Sequence, residues 1–226
     1  MTGSINSQNA LSIGPRSVER PADTGATLVA GIDGRAPALI DGGGLVSTAG
    51  SSWSVDWWIG ADDRWHLPAR EPSVRQRRIG HGPVIETALR VPSGDVVHTA
   101  YPVVLDGRTI TVIDIRNDSP VPVALALAVR PYPVVDPGPV DSDPGGGADR
   151  RPLRLELLDG WAISVDGVAA IRLPRRPNEA GAATTGDLFD DVARGDDLRW
   201  SGPVVGPDAN AVCLYPLPHG TSLRFA

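Results

Sequence analysis

The sequence contains no lysine, and Cys213 is its only cysteine. A single cysteine excludes an internal disulfide, so the chain is not a small secreted scaffold that depends on disulfides. All 21 basic residues are arginine and the net charge is −6. An acidic chain without a basic stripe is not expected to have nucleic acid as its partner. The local cluster of Arg75, Arg77 and Arg78 is interpreted as the solvated face of a strand.

Long uninterrupted apolar runs are also missing. The most apolar stretch, residues 121–135, is interrupted by Arg130 and three prolines, so it is too short and too interrupted to span a bilayer. Residues 1–20 lack the basic start and apolar core of a signal peptide. We therefore expect no membrane association and a cytoplasmic location.

Complete catalytic, metal and cofactor motifs are absent from the sequence. The four histidines are scattered, without the spacing of paired metal ligands. The glycines at 42–44 match neither phosphate-binding pattern, and no Gly-x-Ser-x-Gly motif occurs. We therefore expect no metal, no cofactor and no catalytic residue.

What is present is a set of short alternating segments separated by turns, with 26 glycines and 22 prolines. In residues 84–91, Ile85, Leu89 and Val91 share one face while Glu86 and Arg90 share the other, which is the period of a half-buried strand. Residues 96–104 and 109–116 follow after short turns, so the three segments predict an antiparallel meander.

Two further segments predict how the layers pack. Residues 123–129 alternate large apolar residues with alanine between flanking prolines, which favours a strand buried on both faces over a helix. Asp187 as N-cap and Gly195 as the terminating residue predict one helix. The last strands are expected near residues 198–201, 211–215 and 221–225.

Together these patterns predict an all-β fold, a two-sheet antiparallel sandwich with at most one or two short helices. The domain is expected to span residues 26–226. The polar residues 1–25 predict a flexible N-terminal tail, and the Gly- and Pro-rich residues 136–152 predict a flexible loop.

One stretch, residues 53–66, combines four of the six tryptophans with the adjacent carboxylates of Asp62 and Asp63, an arginine and a histidine. Aromatic faces stack on sugar rings and planar polar groups bind hydroxyls, so the stretch is a candidate glycan site in which residues 57–66 end a strand and form a rim loop. Trp58 or Trp65 would offer the stacking face. The candidate ligand-binding residues are Trp57, Trp58, Asp62, Asp63, Arg64, Trp65 and His66. The alternative is structural: the tryptophans are buried and Arg64 pairs with an acid.

Adjacent Asp62 and Asp63 also invite comparison with a glycosidase acid/base pair. In such enzymes the two carboxyl groups stand roughly 5 to 9.5 Å apart and flank the scissile bond. Successive residues in a strand point to opposite faces, so this pair is a weak indication of hydrolysis.

With these residues identified, a family resemblance can be stated. The segments WSVDWWIGADDRWHLP, VRQRRIGHGPVIETALRVPSGDVV and NDSPVPVALALAVRPY resemble the N-terminal β-sandwich (supersandwich) domain of actinobacterial proteins similar to glycogen-debranching enzymes and six-hairpin (α/α)6-barrel glycosidases. The segment VCLYPLPHGTSLRFA resembles the closing strands of that domain. The resemblance implies a sandwich packed against a helical barrel that carries the catalytic carboxylates. The 226 residues contain no such barrel, so no catalytic residue is carried over.

Three functions follow as hypotheses. The first is a non-catalytic β-sandwich module of carbohydrate metabolism that contacts a glycan or a helical-barrel catalytic domain or subunit. The second is a glycoside hydrolase that acts through Asp62 or Asp63. The third is a structural or protein-interaction domain without affinity for sugars. A split subunit, a truncated reading frame and a free-standing domain all remain open.

Overall fold

The structure is a computed structural model that describes residues 28–32, 35–48, 50–134 and 151–226. The predicted tail at 1–25 lies outside the described residues, as does the predicted loop except for residues 151 and 152. Within the described ranges the elements are β1 (Leu28–Ile32), β2 (Arg35–Ile40), β3 (Val46–Thr48), β4 (Ser54–Gly60), β5 (Trp65–His66), a 3₁₀ turn (Pro68–Arg70), β6 (Arg75–Ile79), β7 (Val84–Val91), β8 (Gly94–Leu105), β9 (Arg108–Asn117), β10 (Val123–Arg130), β11 (Leu153–Leu158), β12 (Ala162–Val165), β13 (Val168–Arg172), β14 (Glu179–Ala183), α1 (Leu188–Arg194), β15 (Val204–Gly206), β16 (Asn210–Leu217) and β17 (Ser222–Phe225).

These strands pair antiparallel in three sheets. The largest has eight strands in the order β1-β2-β3-β4-β10-β16-β14, with β5 paired to β4. A five-stranded sheet has the order β17-β9-β8-β7-β6, and a four-stranded sheet has the order β13-β12-β11-β15. The all-β, antiparallel, sandwich-like architecture is thus confirmed.

The two smaller sheets meet edge to edge at a single pair of residues. The N–H of Arg172 donates to the carbonyl of Ala226 at 2.6 Å, and the N–H of Ala226 donates back at 3.3 Å. The sequence predicted two sheets, whereas the described residues form three, because among them the Arg172–Ala226 pair alone joins the five-stranded sheet to β13. Interior side chains of all three sheets form one hydrophobic core.

β10 is an interior strand of the large sheet, and its two faces pack against different parts of the domain. The odd residues of β10, such as Leu125 and Leu127, point into the main core, while Ala126 and Ala128 pack under α1. The prediction of a strand buried on both faces is therefore confirmed. Alanine at the even positions leaves room for Leu188 and Val192 of the helix.

The sequence located several elements closely. The predicted meander is observed as β7-β8-β9 with continuous antiparallel registers. The predicted helix is α1, in which Asp187 accepts the N–H of Phe189 at 3.0 Å and Gly195 adopts φ of +72° as the C-cap. Arg75, Arg77 and Arg78 lie on β6 and are exposed, as the strand interpretation expected.

The strand expected near residues 198–201 is wrong. These residues form no strand, although the carbonyl of Arg199 accepts the N–H of Ala182 at 3.1 Å. Leu198 instead packs over Gly181, where an added Cβ would lie 3.2 Å from its side chain. Leu198 is therefore an apolar side chain that covers Gly181 of β14 at the edge of the large sheet.

Candidate functional site

The tryptophan-rich stretch folds into a tight hairpin at one end of the large sheet. β4 ends at Gly60, and β5 returns beside it with Gly60 opposite Trp65 and Ile59 opposite His66. The N–H of Ala61 donates to the carbonyl of Arg64 at 3.0 Å and closes the turn. We call residues 59–66 the rim hairpin.

Trp57 and Trp58 do not face solvent. Trp57 lies in the main core, where its Nε1–H donates to the carbonyl of Gly43 at 3.0 Å. Trp58 is 0% exposed and lies on the opposite face of β4, edge-on to the ring of Phe189. The expectation that Trp58 offers a stacking face is therefore corrected: β4 is an interior strand, and both of its faces are covered.

Of Trp57, Trp58 and Trp65, only Trp65 reaches the surface. It is half-buried, and its ring lies against the backbone of Gly60, where an added Cβ would come within 3.0 Å of two ring carbons. Ala124 of the neighbouring strand borders the same spot at 3.2 Å. Two small residues thus form a floor on which the indole rests.

Polar groups of the hairpin form a connected cluster around His66. Its Nε2 lies 2.9 Å from a carboxylate oxygen of Asp63, and its Nδ1 lies 3.2 Å from Oε1 of Glu71. Arg64 donates to both carboxylate oxygens of Glu71, at 2.5 and 3.1 Å. His66 is buried, whereas Asp63 and Arg64 are exposed. The buried imidazole therefore holds the exposed turn from its interior side.

The electrostatics of this cluster favour ionised acids. The hydrogen bond from His66 holds the pKa of Asp63 below its usual value. The hydrogen bond from Arg64 likewise lowers the pKa of Glu71. A lowered pKa is the opposite of what a general acid needs at neutral pH. Asp62, next to Asp63, is exposed on the turn.

The predicted site residues therefore separate into two groups. Asp62, Asp63, Arg64 and Trp65 are accessible on the rim hairpin. Trp57, Trp58 and His66 are buried and support it from within. Trp57 and Trp58 are buried and Arg64 pairs with Glu71. For these three residues the structure agrees with the structural alternative to a glycan site.

A buried ionic network at the Ser54 end of β4, away from the rim hairpin, was missed by the sequence reasoning. Arg130, 1% exposed, donates to both carboxylate oxygens of Asp187 at 2.7 and 2.8 Å, and its Nε donates to the hydroxyl of Tyr132 at 3.0 Å. Its guanidinium also stacks over Trp58, 5.3 Å from the ring centroid. The available signal was Arg130 itself, since a charged residue inside an apolar strand requires a buried partner.

Asp56 completes this network. One of its oxygens accepts the Nε1–H of Trp58 at 2.8 Å and lies 4.0 Å from Nε of Arg130. Burial raises the pKa of Asp56 to about 6, although the charge of Arg130 opposes the shift. Asp56 has 4% of its surface exposed, so no substrate could reach this carboxyl group. The network joins α1 to β10 and β4 of the large sheet.

The described residues contain no group of three or more His, Cys, Asp or Glu side chains arranged to hold a metal ion. In the same part of the chain, no helix is long and apolar enough to span a bilayer.

A scan against models of known protein families finds no match, and a search of the curated proteins finds no match either.

Proposed function

We propose that this protein is a non-catalytic β-sandwich module of carbohydrate metabolism that contacts a glycan through the rim hairpin. The observation that carries the proposal is the position of half-buried Trp65 beside the exposed side chains of Asp62, Asp63 and Arg64. An aromatic ring next to planar polar groups matches the alternation of apolar faces and hydroxyls on a sugar.

The hairpin is also held in a fixed geometry, which supports binding. The ring of Trp65 rests on Gly60, and the turn is braced by Glu71 through its contacts with Arg64 and His66. A site that is ordered before the ligand arrives loses less conformational entropy on binding. The polar side chains are therefore presented by a rigid element.

Contact with a helical-barrel catalytic partner is the second candidate. It is favoured by the half-buried apolar side chains on the same outer face of the large sheet, namely Trp65, Phe189, Leu198 and Leu214, which pack on a buried cluster that includes Trp58. Arg70 lies 5.7 Å from the centroid of the Phe189 ring. A mixed apolar and arginine surface is typical of protein interfaces.

Hydrolysis through Asp62 or Asp63 is disfavoured by the same geometry. The two residues are neighbours on an exposed turn, so they cannot flank a glycosidic bond from opposite sides. The hydrogen bond to His66 also lowers the pKa of Asp63, which keeps this carboxyl group ionised. A carboxylate that stays ionised cannot protonate a leaving group.

Binding of the full chain to a glycan array tests the proposal, with Trp65→Ala as the test variant. Trp161→Ala is the matched control, because Trp161 is 50% exposed but lies beside β12 in the other layer. We expect the wild type and the control to bind the same glycans and Trp65→Ala to lose them. Absence of any glycan binding by the wild type would favour the protein-interaction domain instead, and equal loss in both variants would contradict the hairpin assignment.

A further inference from the structure

The five-stranded sheet has one face in the core and one face that carries charged side chains. In β7, Ile85 and Leu89 are core residues. Because side chains alternate along a strand, Glu86, Ala88 and Arg90 project from the opposite face. This outer face lies in a different sheet from the rim hairpin.

One row of residues across four strands of this face has an arginine at each end. Arg75 of β6 lies opposite Ala88 of β7. Ala88 lies opposite Val97 of β8, which in turn lies opposite Arg116 of β9. Neighbouring strands are about 4.8 Å apart, so the Cα atoms of the two arginines are separated by about 14 Å. Two small apolar residues thus form a floor between two long cationic side chains.

This floor lies in a cavity of about 630 Å³. The cavity is lined by four arginines, namely Arg75, Arg77, Arg90 and Arg116, and by three carboxylates. The charged lining therefore carries a net charge of +1, whereas the whole chain carries −6. We call this cavity the arginine groove. Its excess of positive charge favours an anionic ligand.

Two of the arginines share one carboxylate. Nη2 of Arg75 lies 3.0 Å from Oδ1 of Asp95, and Nε of Arg90 lies 2.8 Å from the same oxygen. This oxygen is buried and accepts no hydrogen bond from the described residues, so neither guanidinium directs an N–H at it. Arg75 and Arg90 are 59% and 55% exposed, and their N–H groups are therefore available to a ligand.

The other two arginines are held by exposed ion pairs. Arg116 donates to both carboxylate oxygens of Asp118, at 2.6 and 2.7 Å, and Nε of Arg77 donates to Glu86 at 2.7 Å. Exposed ion pairs contribute little to stability, so an arginine can leave such a pair for a ligand at small cost. The groove can thus present more than two guanidinium groups to one anion.

We propose that the arginine groove binds a phosphate monoester, with its phosphate held by Arg75 and Arg90. A guanidinium matches two phosphate oxygens with two parallel N–H groups. The organic part of the ligand lies over Ala88 and along the apolar stems of the arginines, which contact it without being charged. This site is separate from the rim hairpin and does not depend on the proposed glycan contact.

A phosphate group fits the arginine groove better than a carboxylate group does. A phosphate monoester has three terminal acceptor oxygens and a charge of about −2 at pH 7. It can therefore accept hydrogen bonds from Arg75 and Arg90 together and keep an oxygen for Arg116. A carboxylate has two oxygens and a single charge, so it engages fewer guanidinium groups. The Asp95 carboxylate, shared by two arginines, illustrates this shortage of acceptors.

The test is a titration of the full chain with phenyl phosphate, followed by the amide signals of Ala88 and Val97 in a ¹H–¹⁵N spectrum. We expect a dissociation constant of about 1 mM or lower. Inorganic phosphate lacks the organic part and should bind about threefold more weakly, and phenol lacks the charge and should not bind. No saturable shift at about 10 mM phenyl phosphate would overturn the proposal. Benzoate that binds as tightly as phenyl phosphate would overturn the assignment to phosphate.

Two variants of the groove test the location. Arg75→Gln and Arg90→Gln should each weaken binding of phenyl phosphate about tenfold, because each removes charge-assisted hydrogen bonds. Arg154→Gln is the matched control, since Arg154 is an exposed arginine on β11 in another sheet and pairs with Glu156 at 3.5 Å. Equal weakening by the control would show unspecific attraction by charge and contradict the site, as would binding that survives both groove variants.

Asp95→Asn tests the proposal in the opposite direction. The change removes the acid that competes for Arg75 and Arg90, so phenyl phosphate should bind about threefold more tightly. Raising the salt concentration should weaken binding to the wild type, because the charges are exposed. Weaker binding by a folded Asp95→Asn protein would contradict the proposal. The ligand series on the wild type decides the question if a variant fails to fold.

Discussion

Arg130 and Asp187 form a bidentate ion pair with N–O distances of 2.7 and 2.8 Å. The pair joins the interior strand β10 to the N-cap of α1. Asp187 also caps the helix by accepting the N–H of Phe189. Burial opposes ionisation of Asp187, but the hydrogen bonds and charge of Arg130 outweigh it and lower its pKa. One carboxylate thus both begins the helix and neutralises a buried guanidinium.

Removal of this carboxylate should destabilise the protein strongly. Asp187→Ala leaves Arg130 buried without its partner and removes the N-cap, so we expect a loss of about 3 to 5 kcal/mol in the free energy of unfolding. Urea denaturation measures it. Asp191→Ala is the matched control on the same helix, because its ion pair with Arg194 is exposed and should contribute little to stability. Equal effects of the two variants would contradict the role of the network.

Two buried groups should give opposite pH dependences of stability. Burial raises the pKa of Asp56 to about 6, so its contribution is fully present below its unfolded pKa and is lost as the pH rises through 6. Burial lowers the pKa of His98 to about 4, so its contribution is present above pH 6.5 and is lost as the pH falls toward 4. The two contributions therefore oppose each other between these limits.

Asp56→Asn should reveal the contribution of His98. We expect the unfolding free energy of this variant to rise between pH 4.5 and 6.5 by about 2 kcal/mol more than that of the wild type. His98→Leu should change the slope in the opposite direction. Urea titrations at three pH values measure both slopes, and profiles parallel to that of the wild type would show that these groups do not titrate differently on folding.

The tryptophans of the candidate site should differ sharply in their effect on stability. Trp58→Ala removes a fully buried ring and the hydrogen bond to Asp56, so we expect a loss of about 3 to 5 kcal/mol. Trp65→Ala removes a half-buried ring and should cost roughly 1 to 2 kcal/mol. Thermal and urea denaturation of the two variants tests this order, and a larger cost at Trp65 would place that residue in the core.

Cys213 should be inert in the native protein. Burial raises the pKa of its thiol to about 12, and the thiolate is the reactive form. We expect no reaction with a disulfide reagent such as DTNB in native buffer and one thiol per chain in denaturant. Rapid labelling of the native protein would show that β16 opens readily around Cys213.

The sequence predicted most accurately those elements that have one buried face and one exposed face. The alternation in β7 and the caps of α1 marked both elements to within a residue. A strand was expected to end within residues 57–66, but the bounds of β4 were not predicted, because six of its seven residues are buried and the period of two disappears. β14 was missed because its five residues are mostly alanine and glycine, which carry little strand propensity.

The site was only partly predictable for a related reason. Exposed Asp62 and Asp63 could be placed on a turn from local sequence, but the burial of Trp58 depends on α1, which comes far later in the chain. The contact of Arg130 with Asp187 likewise joins distant segments. No local pattern specifies such contacts, since they arise from the order of strands in the sheet.

The resonances of the six tryptophan indoles test the glycan contact at the rim hairpin most directly. In a ¹H–¹⁵N spectrum of the full chain titrated with maltoheptaose, we expect the indole N–H of Trp65 to shift while those of buried Trp57 and Trp58 stay in place. Assignment follows from loss of the Trp65 signal in Trp65→Ala. A saturating shift confined to Trp65 and its neighbours supports the account, and an unchanged Trp65 signal in a titration that moves Trp161 or no indole at all would contradict it.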